Sequence, residues 1–344
     1  MKTTGKLIVI IIAVIAGFLP CACPAGREEG QSIETQETGE PSATETPLFP
    51  IYEDGKYGYI DATGEAVIDP QFDGAEPFSE GLARVKIGDW ETGRWGYIDR
   101  TGQIVIDPEF DRAGSFSEGL ASVRIGDWET GKDGYIDRTG QYVIDPQFDQ
   151  AYDFSEGLAS VRIGRIGDKY GYIDRTGRYV INPQFDYAWD FSDGLASVRI
   201  GDWETGKCGY IDRTGRYVIN PQFDEAWEFS EGLAPVRIGD SETGKWGYID
   251  RTGEYVIDPQ FDLAWPFSEG LASVRIGDRE TGKDGYVDRT GRHVINPQFD
   301  RACPFSEGLA MVRIGDMETG KYGYIDRTGQ FVWGPADLPE EITW

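Results

Sequence analysis

The chain has 344 residues, with 60 acidic against 33 basic side chains and a formal charge of −27. Such a surface repels the phosphates of nucleic acids and the headgroups of anionic lipids, which argues against DNA or RNA as a partner and favours cationic ligands, or neutral glycans met through aromatic rings. The length suffices for one large or two ordinary domains, and a single histidine beside four cysteines leaves no Cys/His set for structural zinc.

Lys2 and Lys6 precede an apolar run of 13 residues from Leu7 to Leu19. That run is shorter than the roughly 20 residues a membrane-spanning helix needs, and the pattern predicts a secretory signal over residues 1–23. It ends in Leu19-Pro20-Cys21-Ala22-Cys23, which resembles a bacterial lipoprotein box. Cys23, with Ala22 before it, and Cys21 are the candidates for lipidation. Pro20 departs from that box, so plain secretion and an uncleaved anchor stay open beside it. Residues 24–47 hold one Ile and no aromatic ring. They cannot bury enough surface to offset chain entropy, which predicts a disordered acidic tether. The expected address is outside the cytoplasmic membrane, with membrane contact only through an N-terminal lipid or signal anchor.

Residues 48–334 form one repeat domain. The glycine of a Gly-Tyr-(Ile/Val)-Asp element recurs at Gly58, Gly96, Gly134, Gly171, Gly209, Gly247, Gly285 and Gly323, at intervals of 38 residues with a single 37. A Phe-Ser-(Glu/Asp)-Gly-Leu-Ala element recurs from Phe78 to Phe305 in the same rhythm, leaving no room for an independent second domain. Leu271 to Ile276 alternates between an apolar face (Ala272, Val274, Ile276) and a polar one, which predicts a strand. A polar loop, Gly277 to Gly282, leads to a second strand, Gly285 to Asp288. Asp288-Arg-Thr-Gly291 has the composition of a tight hairpin turn, followed by a third strand, His293 to Ile295. Pro297 cannot donate to a ladder, so the chain is expected to leave the sheet there, carrying Phe299, Ala302 and Phe305 as plugs between neighbouring units. Phased this way, the domain is all-β: eight three-stranded antiparallel meanders, the first opened by residues 48–53 and the last closed by Phe331-Val332-Trp333, with a C-terminal tail over 335–344. Apolar residues on both faces predict sheets stacked in a β-propeller-like ring. An open twisted β-superhelix is the alternative.

The segment Lys245 to Gly277 resembles the bacterial WG-repeat family, named for a Trp-Gly pair that is kept at Trp95-Gly96 and Trp246-Gly247. Tyr57, Tyr170, Tyr322, Asp133, Asp284 and Cys208 replace that Trp in six units. The likeness spans about residues 48–334, implies a β-repeat fold and carries over no catalytic residue. Fainter is a similarity to the aromatic-glycine hairpin repeats of cell-wall-binding proteins.

Positions shared by all units are expected to serve the fold. The Asp-x-Thr-Gly acids read as turn chemistry rather than as ligands of calcium, which needs about six to eight oxygens around one point. Variable positions are the functional candidates. Trp90, Trp128 and Trp203 sit on predicted hairpin tips, either as stacking platforms or folded back over their own hairpins. Trp189, Trp227 and Trp265 precede the plug phenylalanine in three successive units and form a ladder if units stack. Whether Cys208 and Cys303 pair is left open. His293 takes a strand position filled by Tyr142, Tyr179, Tyr217 and Tyr255 elsewhere, so no nucleophile–His–acid set is apparent. The expectation is a non-catalytic exported module without cofactor or metal, binding or scaffolding a glycan, an envelope polymer or a protein. A spacer without a ligand, and a hydrolase with an unrecognised carboxylate site, are the alternatives.

Overall fold

The computed structural model describes residues 48–336 apart from 54, 62–64, 90, 165–166, 307 and 317–319. Within them, 31 strands make eight antiparallel sheets in strict sequence order. The sheets are arranged as the blades of an eight-bladed β-propeller, so of the two arrangements left open by the sequence it is the propeller that forms. Blade 1 has three strands, Leu48–Glu53, Lys56–Asp61 and Ala66–Phe72. Blades 2 to 8 have four. In blade 7 they are Leu263–Ala264, Leu271–Ile276, Lys283–Asp288 and His293–Phe299.

Alternation along each strand puts apolar side chains on both faces of the blade, and the cores therefore lie between blades. Leu233, Trp246, Tyr248, Ile257 and Phe261 of blade 6 meet Ala264, Phe267, Ala272, Val274 and Val287 of blade 7. Blade 7 repeats this toward blade 8 with Leu271, Tyr286, Ile295 and Phe299. At about 1.5–3 kcal/mol for each large side chain fully buried, the interface rather than the blade is the unit of stability.

Three features differ from the sequence reading. Ile276, expected on the apolar face with Ala272 and Val274, is exposed, while Ser273 of the expected polar face is buried between blades, its hydroxyl donating to Ala302 O. The strand does not end at proline: Asn296-Pro297-Gln298 stays within His293–Phe299, as a double bulge. Tyr286 pairs with Ile295 but Asp284 with Phe299, so the surplus residues arch over the glycine between them. The supposed linker is also a hairpin. Its fourth, two-residue strand is too short to carry any periodicity, and it is joined to the next by Ser268-Glu269-Gly270-Leu271. Glu269 and Gly270 have φ of 53° and 77°, and Ser268 and Leu271 exchange N–H···O bonds of 2.9 and 3.1 Å, the geometry of a type I′ turn. A left-handed glutamate is costly, and neighbours offset the cost. The Glu269 carboxylate accepts the Gly308 N–H of blade 8 at 3.0 Å, and its carbonyl accepts from Arg327. Ser268 Oγ donates to Phe305 O at 2.6 Å. Repeated from blade to blade, these bonds tie each turn to the next. Cys208 is a buried free thiol, so it does not pair with Cys303.

The Asp-x-Thr-Gly turns follow the sequence closely. Asp250 accepts from Thr252 N (2.8 Å), Thr252 Oγ1 (2.6 Å) and Glu254 N (3.1 Å), while Gly253 has φ +89°. A Cβ at Gly253 would also lie 3.3 Å from Ile219 Cγ2 of the preceding blade. Gly253→Val is expected to cost about 1–3 kcal/mol in a urea melt. Glu254→Gln beside it should stay within about 0.5 kcal/mol.

Candidate functional site

Two residues precede the plug phenylalanine on the innermost segment of each blade. They read Glu76-Pro77, Gly114-Ser115, Tyr152-Asp153, Trp189-Asp190, Trp227-Glu228, Trp265-Pro266 and Cys303-Pro304 in blades 2 to 8. Only blades 4, 5 and 6 combine an aromatic ring with an acid. A cavity of about 200 Å3 draws its walls from four consecutive blades: Arg84 from blade 2, Arg112 and Ser122 from blade 3, Tyr152 and Asp153 from blade 4, and Asp190 from blade 5. Only segments converging on the propeller axis can share one cavity in this way.

The acids crowd one side of this channel. Asp153 accepts from Ser122 Oγ at 3.0 Å and lies over Gly114, where a Cβ would come within 2.5 Å of its Oδ1. Desolvation pushes the Asp153 carboxyl up, partly countered by Ser122, Arg84 and Arg112. Asp190 lines the same cavity and is exposed to solvent there. Desolvation, then the neighbouring charges of Asp153 and Glu228, push it up to about 7. Desolvation raises Glu228 as well. Arg84 and Arg112 face them, donating to the carbonyls of Ala113 and, at 3.3 Å, Ala151.

A carboxyl whose pKa rises on folding binds its proton more tightly in the native state. Its penalty is absent below the unfolded value, grows as pH climbs toward the folded value and is complete above it. Asp190→Asn should therefore raise the melting temperature at about pH 8 and leave it nearly unchanged at about pH 4. Equal shifts at both pH values would mean that the crowding is not electrostatic.

Aromatic rings continue from the channel outward. Tyr152 and Trp189 are 39 % and 37 % exposed. Tyr152, Tyr170 and Tyr187 follow one another at centroid spacings of 6.2 and 6.3 Å, and Tyr187 meets both Trp189 (6.3 Å) and Trp203 (5.5 Å). The expected ladder is real in part. Trp227 packs edge-on to Trp265 at 4.8 Å and to Trp246 at 5.4 Å, leaving both Trp227 and Trp265 half-buried, whereas Trp189 joins the tyrosine row.

The hairpin tips combine both readings offered by the sequence. Trp128 and Trp203 are 74 % and 56 % exposed. Each rests one ring face on an arginine of its own hairpin, Arg124 at 5.4 Å and Arg199 at 4.9 Å. Arg124 is fixed by buried Asp133, at 2.7 and 3.2 Å, and Arg199 by the carbonyls of Trp203, Gly206 and Asp224. The exposed rings are thus held in place. Trp90, Cys21 and Cys23 lie outside the described residues.

Asp153, Asp190, Glu228, Arg84 and Arg112 were not singled out by the sequence reading. Their signal was present, since an acid stands where other units have Pro or Ser, and Arg84 stands where four later units have Ser. His293 packs edge-on to Phe261 at 6.3 Å, as Tyr217 does to Phe185. No His, Cys, Asp and Glu side chains gather into a metal-holding group among the described residues.

Seven segments match the family described as WG containing repeat: 57–89, 95–127, 134–165, 170–202, 209–241, 246–279 and 285–317. Each begins in the middle strand of one blade and ends in the next, so the family's unit coincides with an inter-blade core. No curated protein matches the chain. Among solved structures it is similar to a eukaryotic initiation factor, with 10 % identity, a TM-score of 0.53, and 85 % of this chain and 96 % of that one covered. It is also similar to prolyl oligopeptidase B from Galerina marginata (11 %, TM-score 0.51, covering 76 % and 48 %) and to oligopeptidase B from Trypanosoma brucei (11 %, TM-score 0.50, covering 84 % and 48 %). The chain spans about half the length of either peptidase. At these identities the likeness is one of fold alone.

Proposed function

The chain belongs to the WG containing repeat family, and from that premise we propose that it is a non-catalytic binding or scaffolding module for a protein or glycan ligand. One observation carries the reading: among blades 2 to 8, only blades 4 to 6 combine an aromatic ring with an acid on the inner segment, Tyr152-Asp153, Trp189-Asp190 and Trp227-Glu228, and Tyr152, Asp153 and Asp190 of these line the channel. Positions needed by the architecture recur in every blade, so a departure confined to three neighbours is better explained by something they meet together. Rings offer stacking faces, and crowded carboxylates are relieved by positive charge. The ligand is therefore one that brings cationic groups alongside flat apolar faces, and several weak contacts add up across blades. The fixed indole of Trp203 extends this aromatic row through Tyr187.

Retention on cell-envelope fractions tests this. Trp189→Ala/Trp227→Ala should lose retention, and Trp128→Ala/Trp203→Ala should weaken it with little change in melting temperature. Retention unaltered in both variants would reject a ligand at this surface and leave a spacer. The address belongs to the same proposal: export, with a lipid on Cys23 or Cys21. The unaltered protein should partition into detergent and become soluble when both cysteines are Ser. A soluble wild-type protein would reject the anchor.

A further inference from the structure

The cavity on the channel is built from departures from the repeat. Arg84 stands where Ser122, Ser160, Ser197 and Ser273 stand in later blades. Gly114 stands where Glu76, Tyr152, Trp189, Trp227, Trp265 and Cys303 stand in the others, so blade 3 omits a side chain that every other blade from 2 to 8 carries. A Cβ on Gly114 would come within 2.4 Å of Ser122 Oγ, and the cavity opens where that side chain is missing.

The bonds between blades are rewired around it. Ser160, Ser197 and Ser273 donate to the carbonyls of Ala188, Ala226 and Ala302 in the following blade, at 3.0, 2.8 and 3.0 Å. At the cavity arginines take such carbonyls instead. Arg84 donates to Ala113 O and Arg112 to Ala151 O at 3.3 Å, while Ser122 turns to Asp153 at 3.0 Å. Neither guanidinium is used up. Arg84 meets Glu76 only at 3.6 Å and Arg112 meets Asp133 only at 3.9 Å, and both side chains stay partly exposed. Arg84 Nε is buried and donates to nothing. The other charges on the cavity are Asp153 and Asp190. Among the described residues no ion pair joins either acid to either arginine, and Asp190 makes no hydrogen bond. Two cations and two anions thus share one small space without neutralising each other.

We propose that this cavity binds a free α-amino acid. Arg84 and Arg112 take its carboxylate, and Asp153 and Asp190 take its ammonium group, through charge-assisted hydrogen bonds. Tyr152, 39 % exposed, offers a ring face to its side chain. A volume of about 200 Å3 lies below the roughly 300–1,000 Å3 of pockets for drug-sized ligands, which suits one amino acid and not an oligomer. The site rests on the reading that the channel faces a ligand, and adds a small ligand to the macromolecular one.

Calorimetric titration of the full-length chain with L-phenylalanine tests this. Phenethylamine, which lacks the carboxylate, and 3-phenylpropanoate, which lacks the ammonium group, are titrated beside it. Phenylalanine is expected to bind with a Kd of about 1 mM or below, and each analogue at least ~10-fold more weakly. Arg84→Ser installs the residue of later blades, whose hydroxyl can hold Ala113 O as Ser160 holds Ala188 O. It should keep the melting temperature and weaken phenylalanine at least ~10-fold. No binding of phenylalanine at about 10 mM, either analogue bound as tightly, or unaltered binding by Arg84→Ser would each overturn the proposal. Trp189→Ala/Trp227→Ala removes no wall of the cavity and should bind phenylalanine like the wild type while losing retention on envelope fractions. Failure of phenylalanine to bind a wild-type protein that is still retained would therefore sink the amino-acid site alone.

Discussion

Gly247→Ala is expected to cost at least about 3 kcal/mol, although it adds one methyl group. A Cβ at Gly247 would lie 2.5 Å from Ile257 O, 2.7 Å from Pro259 N and 2.9 Å from Asp258 C. All three are backbone atoms of the arch that crosses the glycine between the pairs Tyr248–Ile257 and Trp246–Phe261. No rotamer change relieves them, so the arch itself must lift, and with it Phe261, which seals the core toward blade 7. Pro259 belongs to the same device, because a nitrogen without a hydrogen can press on the glycine and leave no donor unpaired. The Trp of the Trp-Gly pair is replaced by Tyr, Asp or Cys in six units, while the glycine stands in all eight. A urea midpoint for Gly247→Ala close to wild type would show that the arch is free to move.

Asp133→Ala is expected to cost about 3–5 kcal/mol, because it strands a buried guanidinium. Asp133 and Arg124 are both buried and form a two-point ion pair at 2.7 and 3.2 Å. The Asp133 carboxylate also accepts the Ala151 N–H at 2.8 Å, joining blade 3 to blade 4. The homologous pair in blade 6 is Arg237 and Trp246, with the cation 6.0 Å from the ring centroid. The cross-strand partner of this arginine is thus an acid in blade 3, an aromatic ring in blade 6 and the thiol of Cys208 in blade 5, and alanine is none of these. Asp133→Trp should recover much of the loss in the same denaturant melt. A loss below about 1 kcal/mol for Asp133→Ala would mean that water reaches Arg124.

Much of the fold was legible because it is repeated. Alternation named the long strands, and the Asp-x-Thr-Gly turn announced its positive-φ glycine. The reading stopped where local sequence ceases to encode position. A two-residue strand such as Leu263–Ala264 has no period, and Glu269 in the left-handed region is stabilised by Gly308 and Arg327 of the next blade, which no local pattern reveals. Proline was read as leaving the sheet because the rule concerns ladder donors, and here the strand bulges instead. At the candidate site the tryptophans drew attention by their size. Asp153, Asp190 and Glu228 did not, since each is one of 60 acids in the chain, and only convergence on one axis brings them together.

The central claim is that shared positions hold the propeller while the departures in blades 4 to 6 do the binding. The measurement that tests it most directly is a melt at about pH 8 beside retention on envelope fractions, for the Asp153→Ser/Asp190→Ser/Glu228→Ser variant. Serine is the residue blade 3 already carries there, as Ser115. The account predicts a melting temperature equal to or above wild type, together with loss of retention. A variant that melts early, or that is retained as well as the wild type, would contradict it.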